Sequence, residues 1–231
     1  MAKKNDGIGD FDEFANTYDQ MLSGALGFFG NENTYYAFRK VEYLNDILEM
    51  NRPKRILDFG CGVGSVVQYL FDFFPDADIW GTDPSAASLE IAHRANPRMH
   101  CVNESDIPSQ YFDVVVISNV LHHIHESERV AQLQRISQSL VTGGKIVIFE
   151  HNRLNPITRR IVDRCEFDEG VELLSKRSCE ETLGTTGRFE DFQSGYFLFI
   201  PPFLKKVRDI ERIFERVPLG AQFWLTAKRW G

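Results

Sequence analysis

The chain has 231 residues, of which 43% are hydrophobic and 26% charged, as expected for one globular domain with a large core. Its formal net charge of -7 at pH 7 argues against a basic field that would collect nucleic acid. The four cysteines form no C-x-x-C pair, which argues against a zinc centre held by cysteines. Together with the absence of an apolar targeting segment at the N-terminus, this favours a reducing, cytoplasmic setting.

The first predicted elements are two helices. The segment from Phe11 to Gly30 mixes aromatic residues with glycines, which favours a short helix with an irregular flank. Between residues 34 and 50 the apolar side chains recur at helical intervals, and Pro53 ends this second helix.

Residues 55–151 alternate between apolar strands and helices. The pattern predicts strands at 55–60, 77–83, 99–105, 112–120 and 143–151, and helices at 65–73, 84–95 and 126–140. Because the middle strands are apolar on both faces, we expect a parallel sheet covered by helices on both sides.

The pattern changes after His151. It predicts a short helix at 156–165, a second with capping-box spacing between Ser178 and Glu181, a strand at 188–200, an amphipathic helix at 201–217 and a last strand at 221–229. The longest apolar stretch here, "YFLFIPPFL", is far shorter than the ~20 residues of a membrane span, so we expect a soluble protein.

The stretch "DFGCGVG" (58–64) follows the first strand of this alternation and opens a helix. Such a unit brings backbone N–H groups and a helix N-terminus to a ligand. A pyrophosphate does not suit it, because the third glycine comes one position early and Asp58 would repel the anion. A carboxylate here favours a cationic ligand end, such as the ammonium group of an amino acid.

Two more acids follow the next two strands. Asp83 comes 25 residues after Asp58, where Rossmann-type folds bind ribose hydroxyls. Asp106 follows the third strand, where a carboxylate can accept a hydrogen bond from the adenine amine while Ile107 packs on the ring. Since carboxyl ends of parallel strands meet at one sheet edge, we expect the three acids to line one site.

These motifs, "LDFGCGVGS", "GTDPS", "ESDIP", "FDVVVISNVLHHI" and "GGKIVIFEH", together resemble those of class I S-adenosylmethionine-dependent methyltransferases. The segment "FDEFANTYDQ" resembles the cap of ubiquinone/menaquinone-type and other small-molecule members. The resemblance implies an α/β, Rossmann-like, doubly wound sheet of seven strands in the order 3-2-1-4-5-7-6, with strand 7 antiparallel. It also implies a single domain, with a cap at 1–34, a cofactor-binding core at 35–151 and a substrate-side region at 152–231.

The resemblance further implies S-adenosylmethionine as cofactor and S-adenosylhomocysteine as product. Asp58, Gly60, Cys61 and Gly62 would border its methionine end. The residues implied for the rest of the cofactor are Asp83 and the adjacent Pro84 at the ribose, Asp106 and Ile107 at the adenine, Asn119 and Val120 beneath the methionine portion, Tyr18 closing from the cap, and Arg39 at the carboxylate.

Methyl transfer from a sulfonium is an in-line displacement that sometimes requires a base. His122 or His123, just beyond the fourth strand, is the candidate base, and the alternative is that one of them packs against or caps the next helix. A metal site in this histidine cluster is not expected. Glu150 and His151 face the substrate side or form a polar turn, and the sequence leaves both interpretations open.

The sequence favours an enzyme that methylates a small molecule, most simply at oxygen, and it leaves carbon and nitrogen acceptors open. The alternatives are a non-catalytic cofactor-binding protein and, less favoured, a nicotinamide-dependent oxidoreductase. Nucleic acid is not expected as an acceptor, because "SNVLHH" stands where an "NPPY"-type element would be. The aromatic and basic tail fits either sheet core with a solvated face or contact of residues 203–216 with an anionic membrane surface, and the first is favoured. The acceptor and the oligomeric state are not specified.

Overall fold

A seven-stranded sheet runs through the computed structural model, which describes residues 33–48, 52–165, 171–200 and 210–231. The strand order is β3-β2-β1-β4-β5-β7-β6, as the resemblance implied. The strands are β1 (Arg55–Phe59), β2 (Asp78–Thr82), β3 (His100–Cys101), β4 (Phe112–Ser118), β5 (Leu140–His151), β6 (Phe189–Phe197) and β7 (Gln222–Arg229).

The first five strands are parallel, and β7 runs antiparallel between β5 and β6. The order reverses at β1, where the chain crosses from β3 on one side to β4 on the other. Open α/β sheets bind ligands beyond the carboxyl ends of the strands at this switch point. The register pairs Phe59 with Thr82 and with Ile117, so the loops after β1, β2 and β4 leave the sheet side by side.

Helices connect the parallel strands, as the alternation predicted. Ser85 caps the third of them, because its side chain accepts a hydrogen bond from the Ser88 amide. Asn155 caps the fifth in the same way, with proline in the first turn. The helices are α1 (Asn33–Leu48), α2 (Val67–Phe73), α3 (Ala86–Ala95), α4 (Glu126–Ser139), α5 (Pro156–Val162) and α6 (Lys176–Thr185).

The core consists of two apolar layers, one on each face of the sheet. In β4, Val114 and Val116 face one layer, whereas Val115 and Ile117 face the other. Burying one such side chain contributes about 1.5–3 kcal/mol, so a central strand with both faces covered stabilises the fold strongly. Phe197 of β6 is also fully buried, which confirms that aromatic residues of the tail belong to the core.

Three local predictions were wrong or too long. The third strand spans only His100–Cys101, because the chain turns into a 3-10 helix at Glu104–Asp106. Helix α6 is capped by Ser175 rather than by Ser178, whose amide donates to the Ser175 side chain. Of the predicted helix 201–217, residues 201–209 lie outside the described ranges, and 210–214 form a 3-10 turn rather than an α-helix.

No helix within the described ranges is both long and apolar enough to cross a bilayer.

Candidate active site

The glycine loop follows β1 directly and is bonded to the end of β2. The amides of Gly60 and Cys61 donate to the Thr82 carbonyl at 2.8 and 3.0 Å. Gly60 has a φ angle of 74°, and a Cβ atom there would lie 2.4 Å from Val120 Cγ2, so a side chain does not fit. A Cβ atom on Gly62 would meet no described atom within 4 Å. The loop backbone is therefore open to a ligand at Gly62.

The Asp83 carboxylate, at the end of β2, is fixed beside this loop by two backbone amides. Its Oδ2 accepts from the Gly62 N–H at 2.8 Å, and its Oδ1 accepts from the Ser85 N–H at 2.9 Å. A carboxylate offers about four acceptor positions, so these bonds orient the group without exhausting its capacity. Pro84, between Asp83 and Ser85, is exposed.

Asp58 lies at the carboxyl end of β1, and its side chain is almost fully buried. No described residue donates a hydrogen bond to either of its carboxylate oxygens. Burial raises the pKa of Asp58 to about 7, although the nearby Lys40 ammonium opposes the rise and Asp83 adds to it. A buried carboxylate without donors is costly, and a cationic ligand would relieve that cost.

Lys40 of α1 is a site residue that the sequence analysis missed. Its buried ammonium group donates to the Ser118 hydroxyl, at the end of β4, at 2.7 Å. Burial lowers the pKa of Lys40 to about 8, while the carboxylates of Glu150 and Asp58 counteract that fall. The lysine therefore places one positive charge among the tips of β1, β4 and β5.

The turn after β4 packs against the glycine loop. Asn119 has a φ angle of 57°, in the left-handed region, and its amide donates to the Phe149 carbonyl at 2.8 Å. Its buried Oδ1 receives no hydrogen bond from the described residues. Val120 touches Gly60, as shown above, so the structure brings both predicted residues to the loop.

The third predicted acid follows β3, the edge strand of the sheet. Asp106 ends the 3-10 turn after β3, is exposed, and accepts from the Asn103 side chain, Nδ2, at 3.0 Å. The neighbouring Ile107 is half-buried and packs on the core layer. The adenine contact remains a prediction for both residues.

A buried pair of side chains joins the ends of β4 and β5. Glu150 Oε2 lies 2.6 Å from His122 Nδ1, and Glu150 Oε1 accepts from the Leu121 amide at 2.7 Å. Burial on its own would raise the pKa of Glu150, but the His122 ring and these hydrogen bonds lower it to about 2. Glu150 is therefore an ionised carboxylate with a built-in donor set.

The other histidines lie close to this pair. The ring of His123 is 4.2 Å from that of His122, and the ring of His151 is 5.5 Å away, measured between centroids. His125, rather than either predicted histidine, caps α4 by accepting from the Ser127 amide. The described residues contain no group of three potential ligands that could hold a metal ion.

Arg129, a second residue that the sequence analysis did not identify, holds the turn that carries the histidines. The buried Arg129 side chain donates through Nε to the carbonyls of Leu121 and Ile124, at 3.0 and 2.8 Å. The arginine thus fixes both ends of the segment that carries His122 and His123.

Arg39, which the resemblance assigned to the cofactor carboxylate, pairs with the carboxylates of Glu211 and Glu42 and lies over the Tyr43 ring. The structure thus places it at the connection before β7, and its cofactor role remains a prediction. Tyr18 lies outside the described residues. The Cys61 thiol is buried, which raises its pKa, so Cys61 acts as a small loop residue rather than as a thiolate.

The site meets the chemical requirements of the implied cofactor. Asp58 and Asn119 both present buried oxygens that receive no hydrogen bond from the described residues, and they stand at the carboxyl ends of the neighbouring strands β1 and β4. The backbone at Gly62 is open, with Asp83 beside it. A ligand with an ammonium group supplies donors for the oxygens of Asp58 and Asn119, which receive none from the described residues. The fold and the site together fit an α/β protein that binds a nucleoside with a cationic end.

Comparison with known proteins narrows this class. A family model described as a methyltransferase domain matches residues 57–146. An uncharacterized methyltransferase of Bacillus cereus is 28% identical over 200 residues, covering 84% of this chain and 83% of that protein. A relative from Bacillus mycoides matches with the same identity and coverage.

Solved structures share the fold. A methyltransferase from Archaeoglobus fulgidus has a TM-score of 0.67 at 17% identity, covering 88% of this chain and 97% of that one. Human N-acetylserotonin methyltransferase, in complex with S-adenosylmethionine, has a TM-score of 0.65 at 14% identity and covers 100% of this chain. The present chain spans 60% of that human protein.

The family-model match, the relatives and the shared fold together support a class I S-adenosylmethionine-dependent methyltransferase.

Proposed function

We propose that the enzyme methylates a hydroxyl group of a small-molecule acceptor and that His122, held by Glu150, takes the acceptor proton. The observation that carries this proposal is the buried contact of 2.6 Å between Glu150 Oε2 and His122 Nδ1. It lies at the carboxyl ends of β4 and β5, next to the turn that packs on the glycine loop.

Glu150 determines which nitrogen of His122 carries a proton. Its pKa of about 2 keeps it ionised at neutral pH, so it accepts a hydrogen bond from Nδ1–H. Nε2 is then the ring nitrogen that accepts a proton. An ionised carboxylate also stabilises the imidazolium that forms when the acceptor proton arrives.

A proton acceptor fits an oxygen nucleophile. Bound S-adenosylmethionine supplies an electrophilic methyl group and leaves as S-adenosylhomocysteine. A hydroxyl must lose its proton as its oxygen forms the new bond, and His122 takes up that proton. Two of the structural neighbours, human N-acetylserotonin methyltransferase and Haemonchus contortus phosphoethanolamine N-methyltransferase 2, are named for small molecules, so the fold accommodates acceptors of this size.

We assign the cofactor by the groups already described. Asp58 would hold the ammonium end, and Asp83 the ribose hydroxyls. Lys40 keeps positive charge beside Asp58, which favours the ionised carboxylate that an ammonium group requires. The part of the site between Asp58 and Asp83 would be formed by Gly60, Gly62, Asn119 and Val120. The adenine would contact Asp106 and Ile107.

The acceptor is tested by measuring S-adenosylhomocysteine release with matched pairs of small molecules. Each pair consists of an alcohol or phenol and its methyl ether. We expect release with the free hydroxyl compounds and none with the ethers. Release with amines alone, or equal release without any small molecule, would contradict the proposal.

The base is tested with His122→Asn, using His125→Asn as the matched control. His125 is exposed, and asparagine retains its capping function on α4. We expect His122→Asn to lower turnover about 10²–10⁴-fold, as for loss of a general base, with unchanged affinity for S-adenosylmethionine. Normal turnover in His122→Asn would eliminate this assignment and leave His123 as the remaining candidate.

A further inference from the structure

One face of the substrate-side region exposes apolar side chains together. It is formed by the turn and helix at 153–164 and by the segment 210–219. We refer to it as the docking face. Its exposed apolar residues are Leu154, Ile157, Ile210, Ile213, Phe214, Val217 and Leu219.

Asparagine side chains hold the two segments of the docking face against each other. Asn155 Nδ2 donates to the Leu219 carbonyl at 2.6 Å, and Asn152 Nδ2 donates to the Gly220 carbonyl at 2.8 Å. Thr158 Oγ1 adds a bond to the Ala221 carbonyl at 2.9 Å. Leu154 and Ile157 stand next to these anchors in sequence, and Val217 and Leu219 stand at or next to the residues that the anchors bind.

The exposure is large for side chains of this kind. Ile213 is 77% exposed, Leu219 62% and Leu154 55%. Single exposed leucines are common, but contiguous exposed apolar patches in soluble proteins mark interaction sites. The anchoring side chain of Asn152 is almost fully enclosed, whereas the apolar side chains of the docking face are exposed.

Exposed basic side chains occur in the same two segments as these apolar tips. Within the two segments the exposed acid is Asp163, Glu215 is half-buried, and Glu211 is consumed by its ion pair with Arg39. This is a local positive excess in a chain whose net charge is -7. The exposed arginines are Arg153, Arg159, Arg160, Arg164, Arg212 and Arg216, of which Arg212 pairs with Asp46.

This combination selects one kind of occupant. Arginines are attracted to anionic headgroups, and apolar tips among them enter the boundary between headgroups and acyl chains. An acidic protein would satisfy the arginines but would give the protruding Ile213 and Leu219 no apolar medium. Five of these arginines form no ion pair with a described residue, and together with the exposed apolar side chains they match a lipid surface.

We propose that the docking face binds the surface of a bilayer that contains anionic phospholipids. The contact is peripheral, and it is independent of the methyl acceptor proposed above. It places the ends of β5 and β6, and with them the substrate side of the site, against the membrane. The sequence favoured a tail with aromatic residues in the sheet core and charges on a solvated face. The buried Phe197 agrees with the first part, and this proposal assigns the exposed charges to a membrane surface instead.

The test is co-sedimentation of the full-length chain with two kinds of vesicle. One kind contains phosphatidylcholine alone, and the other contains phosphatidylcholine and phosphatidylglycerol in equal parts. We expect binding to the anionic vesicles at low salt, weaker binding at high salt, and little binding to the neutral vesicles. Absence of binding to the anionic vesicles would overturn the proposal.

Arg160→Glu and Arg94→Glu form a matched pair for the charge contribution. Both arginines are exposed and lie in the last turn of a helix, but α3 is at the opposite edge of the sheet. We expect Arg160→Glu to weaken vesicle binding about fivefold or more, and Arg94→Glu to leave it within about twofold. Equal effects of the two variants would mean that net charge, and not the docking face, drives the binding.

Leu219→Ser and Trp230→Ser test the apolar contribution. Trp230 is also exposed, at 53%, but it lies at the other end of the β6–β7 pair, bonded to Gly187. We expect about tenfold weaker vesicle binding for Leu219→Ser and no change for Trp230→Ser. If Leu219→Ser instead splits a dimer, or lowers the thermal midpoint while vesicle binding persists, protein covers this face and the proposal fails.

Discussion

The ends of β1 and β5 each carry a fully buried acid, and the two acids behave in opposite ways. Asp58 has no hydrogen-bond donor among the described residues, and its pKa rises to about 7. Glu150 accepts from His122 and from the Leu121 amide, and its pKa falls to about 2. Both are buried, so the difference comes from their neighbours: the His122 and His151 rings and two hydrogen bonds lower the pKa of Glu150, whereas Asp58 has only the Lys40 charge to offset burial and Asp83.

The contrast indicates that Asp58 is available to a ligand, whereas Glu150 is bound within the fold. Glu150 has its partners within the fold and holds His122 in one orientation. Asp58 carries an electrostatic cost that a cationic ligand would relieve. Lys40 interacts with both acids, because the carboxylates of Glu150 and Asp58 each counteract the lowering of the Lys40 pKa by burial. The comparison predicts distinct results for stability and for binding.

The largest expected effect is on stability at Glu150. Glu150→Ala should lower the free energy of unfolding by about 3–5 kcal/mol, because it leaves buried polar partners without their acceptor. Urea denaturation followed by circular dichroism measures this loss. Glu150→Gln is the control, since it retains an acceptor oxygen for the Leu121 amide and should lose less. A loss below about 1 kcal/mol for Glu150→Ala would show that Glu150 does not stabilise the fold through its internal partners.

The second prediction concerns the pH dependence that Asp58 imposes on stability. Its folded pKa, about 7, lies above the ordinary value of 3.8, so between these two values the folded state holds a proton that the unfolded state has released. Stability due to Asp58 is therefore complete below about pH 4 and is lost as pH rises toward 7, with a slope of at most about 1.4 kcal/mol per pH unit.

Asp58→Asn should abolish that contribution. The difference in unfolding free energy, variant minus wild type, is expected to grow between pH 4 and 7 and then to level off. Denaturation series at several pH values for both proteins measure it. A difference that stays constant with pH would show that Asp58 is ionised throughout, with donors that this structure does not reveal.

Much of the fold was predictable because its signals are local. The alternation of apolar strands and helices gave the parallel half of the sheet, and the confirmed order of all seven strands came from family resemblance. The cap of α6 was not predictable, because Ser175 and Ser178 offer two serines three residues apart. Packing of Cys179 and Leu183 into the core determines which of them begins the helix.

Site residues that directly follow a strand were predictable from the sequence. Contacts between residues of different strands were not, because they depend on the strand register. Asp58 and Asp83 stand at strand ends, and the structure places both beside the glycine loop. The pairing of His122 with Glu150 requires the register that aligns Ser118 with Phe149, which composition does not determine. Lys40 left a weaker signal, since it interrupts the buried stripe of Ala37, Val41 and Leu44 on α1.

The third prediction tests whether Asp58, unlike Glu150, serves the cofactor directly. Asp58→Asn should weaken S-adenosylmethionine binding about tenfold to a hundredfold, as expected when a hydrogen bond to a charged group is lost. Glu150→Gln should leave that affinity within about threefold, because its partners are internal. Isothermal titration calorimetry compares the two variants. Equal losses would mean that both acids act through a shared disturbance of Lys40.

The smallest predicted effect concerns Asp83, which combines features of both acids because two backbone amides orient it and it still faces the glycine loop. Asp83→Ala should reduce affinity for S-adenosylmethionine at least tenfold, or about 1.4 kcal/mol, through loss of a paired contact to the ribose. Asp83→Asn retains one acceptor and should lose less. Asp78→Ala, at the opposite end of the same strand, is the control and should bind normally. Unchanged affinity of Asp83→Ala in calorimetry would reject the ribose assignment, and the carboxylate would then serve only to hold the amides of Gly62 and Ser85.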